Sequence, residues 1–113
     1  MNYEHLLVTV TDGVATLTVN RPDKLNALND QVVGQLHQAA MALKHAPDVR
    51  GVILTGAGAK AFIAGADIGD LAKQGVLQGR ERSLAGQAML RAFETMGKPV
   101  LAAVNGYCLG GGC

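Results

Sequence analysis

The stretch KPVLAAVNGYCLGGGC, Lys98 to Cys113, decides how this chain is read. Its first half, PVLAAVN, is a short apolar run with the pattern of a buried strand. Its second half is a turn in which Gly110, Gly111 and Gly112 follow one another. Three adjacent glycines are entropically expensive to order, so something there requires bare backbone. A second stretch of the same kind lies upstream. VRGVILTG (Val49–Gly56) reads as a strand buried on both faces, and it runs into the small-residue loop GAGAKAFIAGAD (Gly56–Asp67).

Working outward, LLVTVTDGVATLTVNR contains two alternating segments around Asp12-Gly13, the signal of a hairpin. Arg21-Pro22-Asp23 breaks the second strand. From Asn29 the period changes: Val32, Val33, Leu36, Ala39, Ala40 and Leu43 recur at helical spacing, with Asn29 or Asp30 as the cap and Pro47 just past the end. His37 and His45 read as surface residues, since no Asp, Cys or Ser is placed to use them. Asp67 and Asp70 open a short helix, where they complement its dipole. A longer helix covers roughly Gly79 to Met96, with Ala85, Ala88, Met89, Ala92, Phe93 and Met96 on its packing side. The order is hairpin, helix, strand, loop, helix, strand, glycine turn. That is an α/β arrangement whose crossovers suit parallel pairing.

The totals exclude several classes. The 113 residues suffice for one modest domain, are 49% hydrophobic and 17% charged, and carry a net charge of +1. Near-neutral charge with two Tyr, two Phe and no Trp argues against a nucleic-acid surface. No apolar run approaches a membrane span, and the N-terminus lacks signal architecture. Cys108 and Cys113 fit neither a disulfide framework nor a zinc pattern, so no metal and a reduced, cytoplasmic setting are expected.

In an open α/β sheet, sites lie beyond the C-terminal ends of the strands, so the two small-residue loops belong at one edge. Converging loops can aim two backbone N–H groups at one oxygen, which is an oxyanion hole for a carbonyl that gains negative charge. The plain alternative is a pair of tight turns with no ligand. GAGAKA also matches a dinucleotide-type G-x-G-x-x-A, but FIAGADIG follows where a helix should open, and no acid sits at the required place after a further strand. GYCLG (Gly106–Gly110) has the outline of a nucleophile elbow with Cys for Ser, yet its acid and His partners would have to come later in the chain. No pair of Glu or Asp is placed for acid/base work.

Three motifs in order, NRPDKLNALN (Asn20–Asn29), GAGAKAFIAGADI (Gly56–Ile68) and KPVLAAVNGYCLGGGC, resemble the crotonase superfamily, closest to its enoyl-CoA hydratase/isomerase members. The likeness covers essentially the whole chain. It implies an α/β spiral of ββα units of which residues 1–113 form the N-terminal part of a single acyl-CoA-binding domain. It implies hydration of 2-trans-enoyl-CoA thioesters, with coenzyme A carried by the substrate and no separate cofactor. By motif, the oxyanion amides fall on Ala66 and Gly111. Coenzyme A contacts fall on Lys24, Leu25 and Ala27, and on Ala64, Ala66, Asp67 and Ile68. The acyl chain passes near Tyr107, Leu109 and Gly110.

The same resemblance puts the first water-activating glutamate directly after a GGGC-like sequence and the second further on. Both positions, and the later ββα unit and helices that complete the pocket and a homotrimer or hexamer, therefore lie past Cys113. The 113 residues alone are expected to be a partial, poorly stable and inactive piece. Isomerisation, thioester hydrolysis or plain acyl-CoA binding would use the same loops. Cys108 stands where Ala is common in the family, with no catalytic meaning expected.

Overall fold

The computed structural model of the chain describes residues 2–113. Strand β1 (Leu6–Thr11) and strand β2 (Val14–Val19) form the hairpin, paired antiparallel from Leu6↔Val19 to Thr11↔Val14. Asp12 and Gly13 both take positive φ, 52° and 82°, which is what a two-residue turn matched to strand twist requires. Along β2 the side chains alternate, so Ala15, Leu17 and Val19 are buried while the threonines between them are half-buried.

Helix α1 (Asp30–Lys44) begins at Asn29, whose side chain accepts from the Val32 amide at 2.8 Å. Its buried stripe is Val32, Leu36, Ala39, Ala40 and Leu43. The far end is closed by Lys98, whose Nζ donates to the carbonyls of Leu43 (2.6 Å) and Ala46 (2.8 Å). The chain then returns as strand β3 (Gly51–Gly56), parallel to β2 with Val14↔Gly51 through Val19↔Gly56. Strand β4 (Ala61–Ile63), helix α2 (Ile68–Lys73) and helix α3 (Val76–Glu94) follow. Strand β5 (Val100–Ala102) lies parallel to β3, giving the sheet order β1-β2-β3-β5. Strand β6 (Tyr107–Cys108) pairs parallel with β4 in a second, two-stranded sheet, and a 3-10 turn at Gly110–Gly112 ends the described chain. The order β-β-α thus occurs twice and begins a third time. The core lies between the larger sheet and the α1–α3 layer, where Met89, Phe93 and Met96 join the β2 and α1 side chains.

Four expectations need correction. Residues 61–63 and 107–108 are short strands rather than loop, because two or three residues carry no readable period and are fixed by pairing with each other. Helix α3 starts at Val76, not near Gly79: Val76 and Leu77 face solvent, so the first turn has no amphipathic pattern. Strand β3 has only Val52 and Gly56 buried, and its other residues are half-buried. Strand β5 is not buried, and Leu101 is 66% exposed at the open edge of the sheet. Apolar composition reveals which face suits burial, not what covers it.

Leu17 of β2 lies in this core together with the α1 stripe. Truncating the fully buried Leu17 to Ala is expected to lower stability by about 2–5 kcal/mol, while Leu101→Ala stays within about 0.5 kcal/mol, as read from urea midpoints.

Candidate functional site

Parallel pairing of β2, β3 and β5 sends the ends of β3 and β5 to one edge of the sheet, and the β4–β6 ladder then draws the two following loops together. The contact is close. Gly65 takes φ +113°, and a Cβ on it would stand 3.3 Å from the Leu109 carbonyl oxygen. A Cβ on Gly112 would collide with the carbonyl of Ile63, the same oxygen that accepts from the Leu109 amide at 3.2 Å. These two glycines are required by contact between the loops.

Leu28 joins the loops to the segment before α1. Its amide donates to the Gly65 carbonyl (2.8 Å), and its carbonyl accepts from the Asp67 amide (2.8 Å). Successive backbone groups on an extended segment point to opposite sides, so this bridge turns the N–H of Ala66 away from Leu28. Gly111 stands against the Leu28 side chain, with the position of a Cβ 2.9 Å from Leu28 Cδ1. Ala64, Asp67, Leu109, Gly112 and Cys113 all spend their amides on backbone acceptors. Among the described residues, the amides of Ala66 and Gly111 meet no protein acceptor, and both residues are exposed.

The other residues singled out from sequence gather around this pair to different degrees. Ala64 donates to the Leu25 carbonyl at 3.2 Å, and the Ala27 carbonyl accepts from Arg21 Nη1 at 2.8 Å. Gly110, at φ +51°, sits with its Cβ position 3.7 Å from Gly65 Cα. Lys24 ends a 3-10 turn (Pro22–Lys24) with its side chain in solvent, and Ile68 is 80% exposed. Tyr107, also exposed, belongs to the β4–β6 ladder, where its amide donates to the Lys60 carbonyl.

Asp67 is the N-cap of α2, its carboxylate accepting from the amides of Gly69 (2.9 Å) and Asp70 (3.4 Å), and it pairs with Arg21 Nη2 at 3.2 Å. Burial pushes this carboxyl up, but the hydrogen bonds from Arg21, Asp70 and Gly69, together with the Arg21 charge, outweigh it and hold the pKa below the ordinary value. Cys108 is no activated nucleophile. Burial raises its thiol pKa, the Cys113 hydrogen bond and charge add to the rise, and its Sγ donates to the Gly112 carbonyl at 3.2 Å.

Three residues that build the site lie inside the quoted motifs but have no role in the sequence reading. Asn26 is fully buried. It accepts from the Arg21 amide (2.9 Å) and donates to the carbonyls of Ala57 (3.0 Å) and Ala61 (2.9 Å). It thereby ties the turn before α1 to the first small-residue loop. Asn105 ties that loop to the second: it accepts from the Gly56 amide (3.2 Å) and donates to the carbonyls of Gly56 (2.8 Å) and Gly58 (3.0 Å). Arg21 spans Ala27 and Asp67. A polar residue isolated between a Pro turn and an apolar run was the available signal for Asn26.

Beside Ala66, between α1, α2 and α3, lies an open cavity of about 410 Å³. Leu28, Val33, Leu71 and Ala85 supply its apolar walls.

A repeated β-β-α order, with two small-residue loops drawn together beside an open cavity, defines the architecture of the site. Comparison with known proteins identifies the family. The enoyl-CoA hydratase/isomerase family model matches residues 9–113. A crotonyl-CoA hydratase from Syntrophomonas wolfei is 42% identical over the whole chain, which corresponds to 44% of that protein. A short-chain-enoyl-CoA hydratase from Clostridium acetobutylicum is 40% identical over the whole chain and 43% of its own length. The crystal structure of an enoyl-CoA hydratase from Bacillus anthracis superposes with a TM-score of 0.93 at 34% identity, over 96% of this chain and 43% of that one. An enoyl-CoA hydratase/isomerase from Xanthobacter autotrophicus Py2 gives 0.92 at 34% identity, over 99% of this chain and 42% of that one. This chain belongs to the enoyl-CoA hydratase/isomerase family and has the crotonase fold over the N-terminal part of its relatives. It spans a little under half the length of the relatives it matches.

Asn26→Ala removes an acceptor and two donors from buried backbone partners, and is expected to cost about 3 kcal/mol of stability in urea unfolding. Arg21→Gln is expected to raise the Asp67 midpoint toward the ordinary carboxylate value, read by carboxyl-carbon NMR. The sign follows from the lowered pKa: the stabilisation is present at neutral pH and is lost as pH falls from about 4 through the folded value.

Proposed function

We propose that the protein to which this chain belongs hydrates 2-trans-enoyl-CoA thioesters, and that the amides of Ala66 and Gly111 form its oxyanion hole. The supporting observation is their placement: among the described residues these two N–H groups have no protein acceptor and both residues are exposed on the converging loops, although the Gly65 and Gly110 amides just before them are unbonded as well. Addition of water across the 2,3 double bond places enolate charge on the thioester oxygen. Two fixed donors aimed at that oxygen stabilise the charge as it forms, and one such donor contributes about 2.7–4 kcal/mol to the barrier.

Lys24, Leu25, Ala27, Ala64, Asp67 and Ile68 hold the coenzyme A portion in this reading, and Tyr107, Leu109 and Gly110 border the acyl group. The acid and base are the glutamates that the family resemblance puts after Cys113. The hydratase names of the relatives favour short enoyl chains, down to crotonyl. The protein works in β-oxidation or related acyl-CoA metabolism in the cytoplasm, as a homotrimer or hexamer. Exposed Leu101, Val104 and Leu109 give apolar surface for further packing.

The test is loss of crotonyl-CoA absorbance with protein expressed from its complete reading frame. Hydration is expected, and replacing the Ala66 amide by an ester, which keeps the shape and removes the N–H, should lower kcat about 10²–10³-fold. Double-bond migration without hydration would replace the hydratase reading by isomerase. An ester variant with unchanged kcat would remove Ala66 from the oxyanion hole.

A further inference from the structure

We propose that Arg82 is a positioning residue that fixes α2 as a wall of the acyl cavity and so governs which acyl chains the site accepts. This rests on the acyl-CoA reading above. Helix α2 has six residues and buries none of them. A helix that short does not stand on propensity, and with no apolar face in the core it cannot stand on packing. What holds it is polar and sits at its two ends.

The first end is Asp67 with its Arg21 partner. The second is Arg82, reaching across from α3. Its Nη1 donates to the Asp70 carbonyl at 2.6 Å and to Gln74 Oε1 at 3.3 Å, and its Nε pairs with Asp30 of α1 at 3.1 Å. The Asp70 carbonyl would normally accept from the Gln74 amide, but that amide bonds to the Leu71 carbonyl instead. Arg82 therefore satisfies a carbonyl left open at the helix end. Of its contacts this charge-assisted, part-buried bond is the strong one, whereas the Asp30 side chain is largely in solvent and its ion pair contributes little.

The consequence for the cavity is direct. Ala66, the donor assigned to the thioester oxygen, lines this cavity, so the acyl chain is placed in it beyond the part bordered by Tyr107, Leu109 and Gly110; Leu71 and Asp70 of α2 form its wall together with Arg82 itself, Leu28 and Val33. Ala66 is fixed separately by the Leu28 bridge. Loss of Arg82 should thus loosen the wall that meets the acyl chain more than the amide that meets the reacting oxygen. The effect belongs mainly to KM and to chain-length preference.

The experiment compares wild type, Arg82→Gln and Arg82→Lys, expressed from the complete reading frame, by hydrogen exchange and by kinetics with crotonyl-CoA and dodecenoyl-CoA. In Arg82→Gln, amides of residues 71–75 should exchange about ten-fold faster while β2 and β3 keep their protection, and KM for crotonyl-CoA should rise about ten-fold, the equivalent of one charge-assisted hydrogen bond. The fall in kcat should be smaller, and the kcat/KM ratio should shift toward dodecenoyl-CoA. Arg82→Lys, which can still donate to the Asp70 carbonyl, should recover part of each change. Unchanged exchange in α2 overturns the role of Arg82 whatever the activity. Loss of protection in β2 and β3 as well makes Arg82 a general support of the fold and also overturns it, as does a kcat loss with KM and chain-length ratio fixed. If the wild type neither hydrates nor binds crotonyl-CoA, the functional reading fails and the acyl assignment fails with it.

Discussion

Two backbone hydrogen bonds of one residue, Leu28, fix the arrangement on which the rest depends. Its amide and carbonyl grip Gly65 and Asp67 and leave Ala66 between them facing the other way. The Leu28 side chain then supports Gly111 from the second loop. Among the described residues the amides of Ala64, Asp67, Leu109 and Gly112 around this pair are bonded to backbone acceptors, while those of Ala66 and Gly111, and of Gly65 and Gly110 before them, are not. A flexible loop could present the same amides only on average. Pre-set donors need no reorganisation when charge develops, so loops tied down in this way suit the proposed role of the two amides.

The ties carry their own strain. Leu25 and Asn26 both adopt left-handed backbone, at φ 54° and 56°. Asn tolerates this conformation, but for Leu it costs about 1–2 kcal/mol. The Leu25 carbonyl gains the Ala64 amide in return, and Asn26 makes three side-chain hydrogen bonds around its buried position. Asn105 repeats the device between the loops. Ala61 is the common point: its carbonyl accepts from Asn26 at 2.9 Å and from Asn105 at 3.3 Å. Two amide side chains thus register three chain segments that are distant in sequence.

The sequence carried the large elements because each has enough residues to show a period. The Asp12-Gly13 turn, the α1 stripe and the β3 run all appear where their patterns place them. What it did not carry depends on a partner. Strands β4 and β6 exist because each has the other, and Leu101 looks like a core residue although, among the described residues, none covers its open side. The small-residue loops were legible as a site because runs of Gly and Ala are conspicuous. The bracing was not. Asn26 bonds only to backbone atoms, Asn105 mainly so, and Arg21 divides its guanidinium between the Ala27 carbonyl and Asp67; a side chain that bonds to a carbonyl leaves no complementary residue to search for.

Asp67 shows how charge is managed in such a place. In the proposed role of Ala66, a free carboxylate one residue away would oppose the charge that the amide is to stabilise. Asp67 is not free. Its oxygens accept from two amides at the start of α2, and the Arg21 guanidinium balances its charge. The lowered pKa keeps it ionised, so it does not alternate between charged and neutral forms near neutral pH. With its lone pairs engaged and its proton affinity reduced, it is poorly suited to take a proton from water. The Asp67 carboxylate is thus engaged in structure, and the Arg21 guanidinium offsets the repulsion it would exert on an anion at the neighbouring amide.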